Sequence, residues 1–546
     1  MPLTNPCLRC VVVAAVLFFG VLAGGPPRAW SQNVLTYHYD NAHDGLNSSE
    51  TTLTPSNVNY TSFGKLFVLT VDGLVDAEPL YLSAVPITGS GTHNLLIVAT
   101  ENDSVYAFDA DIGTLIWHIK ALRPGETPSD DRNCNQVTPV IGITSTPVIS
   151  RPPGTNGVIY AVAMSKDSSG NYHQRLHALD ATTGKELYGG PVSIEAKYPG
   201  TGDDSSDGYV LFDPAQYEAR SALLMLNDTI FIAWTSHCDV RPYTGWIMGY
   251  GATTLAQTTV LNVTPNGSQG SIWNAGGGLT ADNSGNIFFL DANGSFDSTL
   301  NGKGFPDEGD YGNAFLRLTV TGGLAVADYF EMYDGQTESG EDSDLGSGGA
   351  ILLPNLEDAS GNVWQLAAGA GKDSNLYLVN RASMGKFNPT SNNIYQELPG
   401  VLATGIFSTP AYYNKRLYYG PVNHPILAFQ FQDAKLLPTP VEETSTSFEY
   451  PGATPSISSN GLTNGIVWAA ENKNPAVLHA YSAGSLLELY NTNQAPNKRD
   501  QFGAGNKFIT PLIINGKVYV GTTTGVGVFG LLSDPAGGAR EQGHTK

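Results

Sequence analysis

One local pattern recurs along this chain and leaves few architectures open to it. A Pro or small residue opens a short apolar run, as in TPVIS at 146–150. A Gly or Asn turn leads into a β-rich run ending in small residues, GVIYAVAM at 157–164. After a polar loop comes a third run that ends in Asp and a Gly turn, RLHALDATTGK at 175–185. Units of this kind start near Glu78, Thr146, Arg220, Gly276, Gly346, Thr409, Thr454 and Thr510, roughly 45 to 75 residues apart. Apolar and polar positions alternate with a period of two, the signature of strands. Composition points the same way. Charged residues are 14% of the chain, against roughly 25% in an average domain. Gly (62), Pro (33) and Tyr (26) take their place, a mixture that suits strands joined by tight turns and not helical faces.

Eight units of four strands predict an all-β chain folded as a single eight-bladed β-propeller of antiparallel blades. Each blade can hide its faces only against its neighbours, so the array must close into a ring. Strand counting suggests how. The last unit supplies three strands, TPLII (510–514), KVYVGT (517–522) and GVGVFGLL (525–532). KLFVLTV (65–71), ahead of the first unit, either completes that blade as a latch or stands alone as a leader strand. The expected division is an extension over 32–64, a propeller over 65–532 with no second domain, and a disordered tail over 533–546. Residues 296–345 could form an insertion.

The third strand carries a sharper signature. Ala107-Phe-Asp109 with Gly113 and Trp117, Ala178-Leu-Asp180 with Gly184 and Tyr188, and Ala480-Tyr-Ser482 with Tyr490 share one spacing. The small Ala lets blades approach, Asp caps the turn, Gly supplies a positive φ, and the aromatic is expected on the fourth strand, wedged between blades. This spacing resembles the repeat of the quinoprotein alcohol dehydrogenase-like superfamily, which holds both PQQ-dependent dehydrogenases and non-enzymatic assembly scaffolds. Within it the chain is similar to secreted bacterial PQQ-repeat proteins, through HNLLIVATENDSVYAFDA (93–110), SHCDVRPYTGW (236–246) and DLGSGGAILLP (344–354).

Antiparallel alternation sorts the loops by face. With strands A to D counted from the axis, D-to-A and B-to-C connections fall on one end, A-to-B and C-to-D turns on the other. The first set gathers Glu78, Glu101, Arg220, His237, Asp239, Trp273, Lys372 and Glu471, the candidate ligand-binding residues. The resemblance implies that this face is where superfamily enzymes carry the quinone and its calcium, so PQQ and calcium are the cofactors it makes possible. Glu78 and Arg220 adjoin apolar inner strands, where an unpaired charge is costly. The acidic stretches 291–313 and 334–344 read as solvated loops.

The remaining features bound the function. A net charge of −22 argues against nucleic acid or anionic lipid as partner. CVVVAAVLFFGVLA (10–23) after Arg9 is about fourteen residues long, short for a bilayer span, and Ala29-Trp30-Ser31 offers a cleavage site. The expectation is a cleaved signal peptide over 1–31 and a secreted or periplasmic monomer with no membrane span. Two cysteines then remain, Cys134 in a D-to-A connection and Cys238 in the B-to-C loop of the next blade. Both fall on the same end of neighbouring blades, which predicts a disulfide. No vicinal Cys pair, Cys-x-x-Cys-His, His-Glu-x-x-His, Gly-x-Ser-x-Gly or phosphate loop occurs. The sequence alone therefore favours a ligand- or partner-binding scaffold acting through its polar loop face. A PQQ- and calcium-dependent alcohol or sugar dehydrogenase is the alternative, and a carbohydrate-active propeller the third reading.

Overall fold

Strand-forming runs punctuated by Gly, Asn and Asp become, in the computed structural model, a series of antiparallel sheets. The structure describes residues 32–532. The expected signal segment 1–31 and tail 533–546 lie outside the described residues. Eight sheets of four or more strands follow one another along the chain. The first is built from Leu80–Ile87, Gly91–Thr100, Ser104–Asp109 and Leu115–Lys120 in simple up-and-down order. The third, Leu224–Leu226, Thr229–Ala233, Trp246–Gly251 and Gln257–Asn262, repeats the plan. The eighth draws Leu512–Ile514, Lys517–Gly521 and Gly525–Leu531 from the end of the chain and takes its outer strand, Phe63–Thr70, from the beginning. Phe63 pairs with Leu531 and Thr70 with Gly525 across that seam. Residues 65–70 thus fall in an edge strand of the eighth sheet, which begins two residues earlier and ends one residue earlier than the sequence suggested.

The apolar core lies between consecutive sheets. One cluster joins Leu512, Tyr519 and Val526 of the eighth sheet to Leu80, Ile97 and Val105 of the first and to Ile159 of the second. The repeat signature accounts for this packing. Asp109 Oδ1 accepts from the backbone N–H of Asp111 at 2.8 Å and of Ile112 at 3.0 Å, so the carboxylate closes the turn. Trp117 lies on the fourth strand and donates its indole N–H to Ala181 O of the second sheet at 2.9 Å. Gly184 approaches that ring with φ +68°; a Cβ there would sit 2.7 Å from Trp117 Cε3. Tyr490 likewise falls on a fourth strand, Glu488–Asn491. Tyr188 does not: it is exposed at φ 55°, and the outer strand of the second sheet is Val192–Ser193 instead. The Gly189-Gly190 pair that follows it breaks the strand there.

Residues 34–50, read from sequence only as an extension, are bound to the inner strands of all eight sheets. Val34 pairs with Tyr81, and Ile149 donates to Leu35 O at 2.7 Å. Asn41 Nδ2 donates to Met225 O at 3.0 Å. The N–H groups of Ala281, Leu352, Tyr412 and Ile457 donate to the carbonyls of Asn41, Ala42, Asp44 and Gly45. Tyr39 Oη and Asn47 Nδ2 reach the backbone of Ile513. This strap meets the eight sheets nearly in chain order within seventeen residues. Its tight course needs positive φ at His38, Tyr39, His43 and Gly45.

Candidate functional site

At the end of the sheets that carries the D-to-A and B-to-C connections lies a cavity of about 350 Å³. Four sequence candidates line it: Arg220, Asp239, Trp273 and Lys372. Each stands where its loop leaves a sheet. Arg220 and Trp273 enter the third and fourth sheets, and Asp239 and Lys372 sit in the B-to-C loops of the third and fifth.

Arg220 is the residue with the least conventional surroundings. It is 2% exposed, yet Nε and Nη1 have no hydrogen-bond partner. Its guanidinium lies 4.0 Å from the centre of the Phe508 ring and 5.8 Å from that of Trp273. Glu218 Oε1 is 3.9 Å from Nη1, an ion pair too long for a hydrogen bond. A buried guanidinium with idle N–H groups is costly unless something accepts from it. Phe407, Tyr450 and Phe508 continue the aromatic wall, with Phe407 edge-on to Tyr450 at 5.4 Å.

Across from that wall Lys372 Nζ bridges Asp342 Oδ1 at 2.5 Å and Asp344 Oδ1 at 2.6 Å. Burial pushes the Asp344 carboxyl up to about 6 against the pull of Lys372. Its other oxygen, Oδ2, is buried without a partner. Asp239 accepts from Tyr243 Oη at 2.7 Å. The disulfide forms the rim. Cys134 and Cys238 are joined with a Cα–Cα distance of 5.6 Å, as their common end predicted, and Cys238 lines the cavity.

The other four candidates stand elsewhere. Glu78 faces the strap, accepting from His38 N at 2.8 Å, and burial pushes its carboxyl up to about 8. Glu101 is fully buried, accepts from Gly142 N at 2.7 Å and lies beside the carboxyl of Asp76, so burial and that neighbour raise it strongly. His237 is buried 3.9 Å from Glu218, and burial lowers it to about 4. Glu471 is held between His479 at 2.9 Å and Lys473 at 2.5 Å. The acidic stretches are also less solvated than expected. Asp291 is wholly buried with neither carboxylate oxygen partnered, Asp310 is buried, and Asp342 and Asp344 reach the cavity wall. Sequence reasoning missed Asp342, Asp344, Phe407, Tyr450 and Phe508, all in D-to-A connections of later units. Among the described residues no group of three or more His, Cys, Asp or Glu side chains is placed to hold a metal ion. No described helix is long and apolar enough to cross a membrane.

No protein-family model matches the chain, and comparison with curated proteins found no match. Solved structures do resemble it. The quinohemoprotein alcohol dehydrogenase of Comamonas testosteroni aligns with a TM-score of 0.59 and 13% identity over 91% of this chain and 80% of its own. Quinohemoprotein alcohol dehydrogenase ADHIIG of Pseudomonas putida HK5 gives the same figures. A europium-containing methanol dehydrogenase aligns at 0.57 with 12% identity over 90% of each chain. The chain is all-β and has the propeller fold of these proteins. At such identity the likeness extends to the fold alone.

Proposed function

We propose that the cavity under the Cys134–Cys238 rim holds a planar, anionic aromatic cofactor of the quinone kind, and that the protein is a dehydrogenase of small alcohols or sugars. The observation that carries this is Arg220, a buried cation with unused donors on the wall of an aromatic-lined cavity. The resemblance in fold to alcohol and methanol dehydrogenases favours it over the scaffold reading, which the sequence had put first.

The residues fit such a group. About 350 Å³ lies within the range of small-molecule sites. Arg220 and Lys372 would hold its anionic edge, and Trp273 and Phe508 would flank its plane. When bound, a quinone supplies an acceptor for two electrons from a substrate carbon. The chain's own part is to orient and to move a proton. Asp344, ionised in most molecules at neutral pH and fixed through Oδ1 by Lys372, keeps an unpartnered Oδ2 that would accept a hydroxyl proton. Calcium fits less well, since among the described residues no group of three or more His, Cys, Asp or Glu side chains assembles to hold it, and no step is assigned to it.

The test is to titrate the protein with PQQ, with and without calcium, and to follow visible absorbance and the reduction of an artificial electron acceptor by alcohols and aldoses. Stoichiometric binding with turnover, both weakened at least tenfold by Arg220→Ala, supports the proposal. Binding without turnover returns the cavity to the scaffold reading. No binding under either condition overturns it.

We propose further that the eight sheets are the blades of one closed ring, latched where Phe63–Thr70 pairs with Gly525–Leu531. The mature protein would be a monomer exported after cleavage following Ser31. Amino-terminal sequencing of the exported protein and its mass in solution check these points.

A further inference from the structure

The opposite end of the sheets carries a second hollow system that the cavity does not use. One hollow of about 720 Å³ lies between the A-to-B turns of the fourth and fifth sheets, and strap residues Asp40, Asn41, Ala42 and Asp44 are among its lining. A second, of about 460 Å³, adjoins Trp364. Gln365 lines both, so the two hollows adjoin and together make up the groove.

The groove has two chemistries. At one end Trp364 is half-buried and fixed. Its indole N–H donates to Asp358 Oδ2 at 2.9 Å, and the Tyr395 ring packs on it with centres 4.7 Å apart. Val363 beside it is 61% exposed. At the other end polar groups of opposite demand face each other. Asp40 spends Oδ1 on the N–H groups of Ala42 and His43, and Asp44 spends Oδ1 on Leu46. Arg381 lines the same hollow, and its Nε is buried with no acceptor. Between the two ends, Gln365 and Asn355 can both donate and accept.

This combination narrows the ligand. An anion would meet Asp40, Asp44 and Asp282, and a cation would leave Arg381 Nε unsatisfied. A purely apolar ligand would strand every polar group in the larger hollow. What remains is a neutral molecule that donates and accepts along its length and offers an apolar C–H face to a fixed indole. We infer that this groove is a binding site for neutral carbohydrate, with Trp364 as the stacking platform and Gln365, Asp40, Asp44 and Arg381 as the hydroxyl partners. The site is separate from the cavity and does not depend on the function proposed for it.

Calorimetric titration with cellopentaose, xylopentaose, maltopentaose and chitopentaose tests the inference. Binding of at least one is expected, weakened tenfold or more by Trp364→Ala and by Arg381→Ala. Trp364→Phe keeps a ring and retains most of the affinity. Circular dichroism and thermal melting confirm that each variant is folded. Arg220→Ala leaves carbohydrate binding unchanged, and Trp364→Ala leaves PQQ titration unchanged. Absence of heat with all four sugars overturns the inference, as does binding indifferent to both Trp364→Ala and Arg381→Ala.

Discussion

Buried acids are the unusual residues of this molecule, and they give its stability an uncommon pH dependence. Glu78 and Glu338 are pushed up to about 8, and Glu218 and Asp44 to about 7, in each case chiefly by burial. In the unfolded chain such groups ionise near pH 4. Between that pH and 8 the folded state therefore holds more protons than the unfolded state, so stability falls as pH rises. Below about pH 6.5 the effect is partly offset. His38 and His237 are lowered to about 4 and His43 to about 3, and these must stay neutral to fold. Above pH 6.5 no such offset acts. The melting temperature is therefore expected to drop by several degrees from pH 6.5 to pH 8.5. Glu78→Gln, which keeps an acceptor for His38 N, should make that drop smaller. A melting temperature that rises over this interval contradicts the assignment of buried, protonated carboxyls.

At the scale of elements, the connections between sheets carry the energetic consequences. The disulfide closes a loop of 104 residues, for which chain entropy allows roughly 4–5 kcal/mol. Cys134→Ser with Cys238→Ser should lower the denaturation midpoint accordingly, as urea titration will show. Trp117→Ala removes the wedge between the first and second sheets and should cost about 3–5 kcal/mol, measured the same way. These elements were legible in the sequence because each rests on a short-range rule. Ala107, Asp109, Gly113 and Trp117 sit at fixed offsets, and antiparallel alternation alone put Arg220, Asp239, Trp273 and Lys372 on one end. Phe407, Tyr450 and Phe508 obey the same alternation, but nothing in the residues beside them separates a cavity wall from an ordinary loop. Glu101 and Glu471 share that end yet turn away from the cavity. Asp76 and Gly142 engage the one, His479 and Lys473 the other, and no spacing rule announces those partners. The strap was illegible for a related reason: it meets eight separate sheets, six through its backbone and two through side chains, and so repeats nothing.

For the whole molecule, the strap and the terminal strand pairing tie distant parts of the sequence together. Tyr39 Oη accepts from Ile513 N at 2.9 Å and donates to Ile513 O at 3.2 Å, across 474 positions. Tyr39→Phe strands the Ile513 N–H, while Ile513 O keeps Asn47 Nδ2 at 3.0 Å, and should destabilise the fold by roughly 1–3 kcal/mol. Unfolding in urea is expected to be one transition, with tryptophan fluorescence and far-ultraviolet circular dichroism coincident. Two resolved transitions would mean that the sheets melt in blocks despite the strap. The strap also has a meaning in time. A chain made from its amino end produces residues 34–50 before any of the strands they bind, and Ile513 only near the finish. Tyr39 and Asn47 must wait, unpaired, for more than 460 further residues before Ile513 arrives. A product that stops short of Ile513 therefore leaves Tyr39 and Asn47 without their partner, and arrival of the eighth sheet's inner strand becomes the event that commits the protein to its fold.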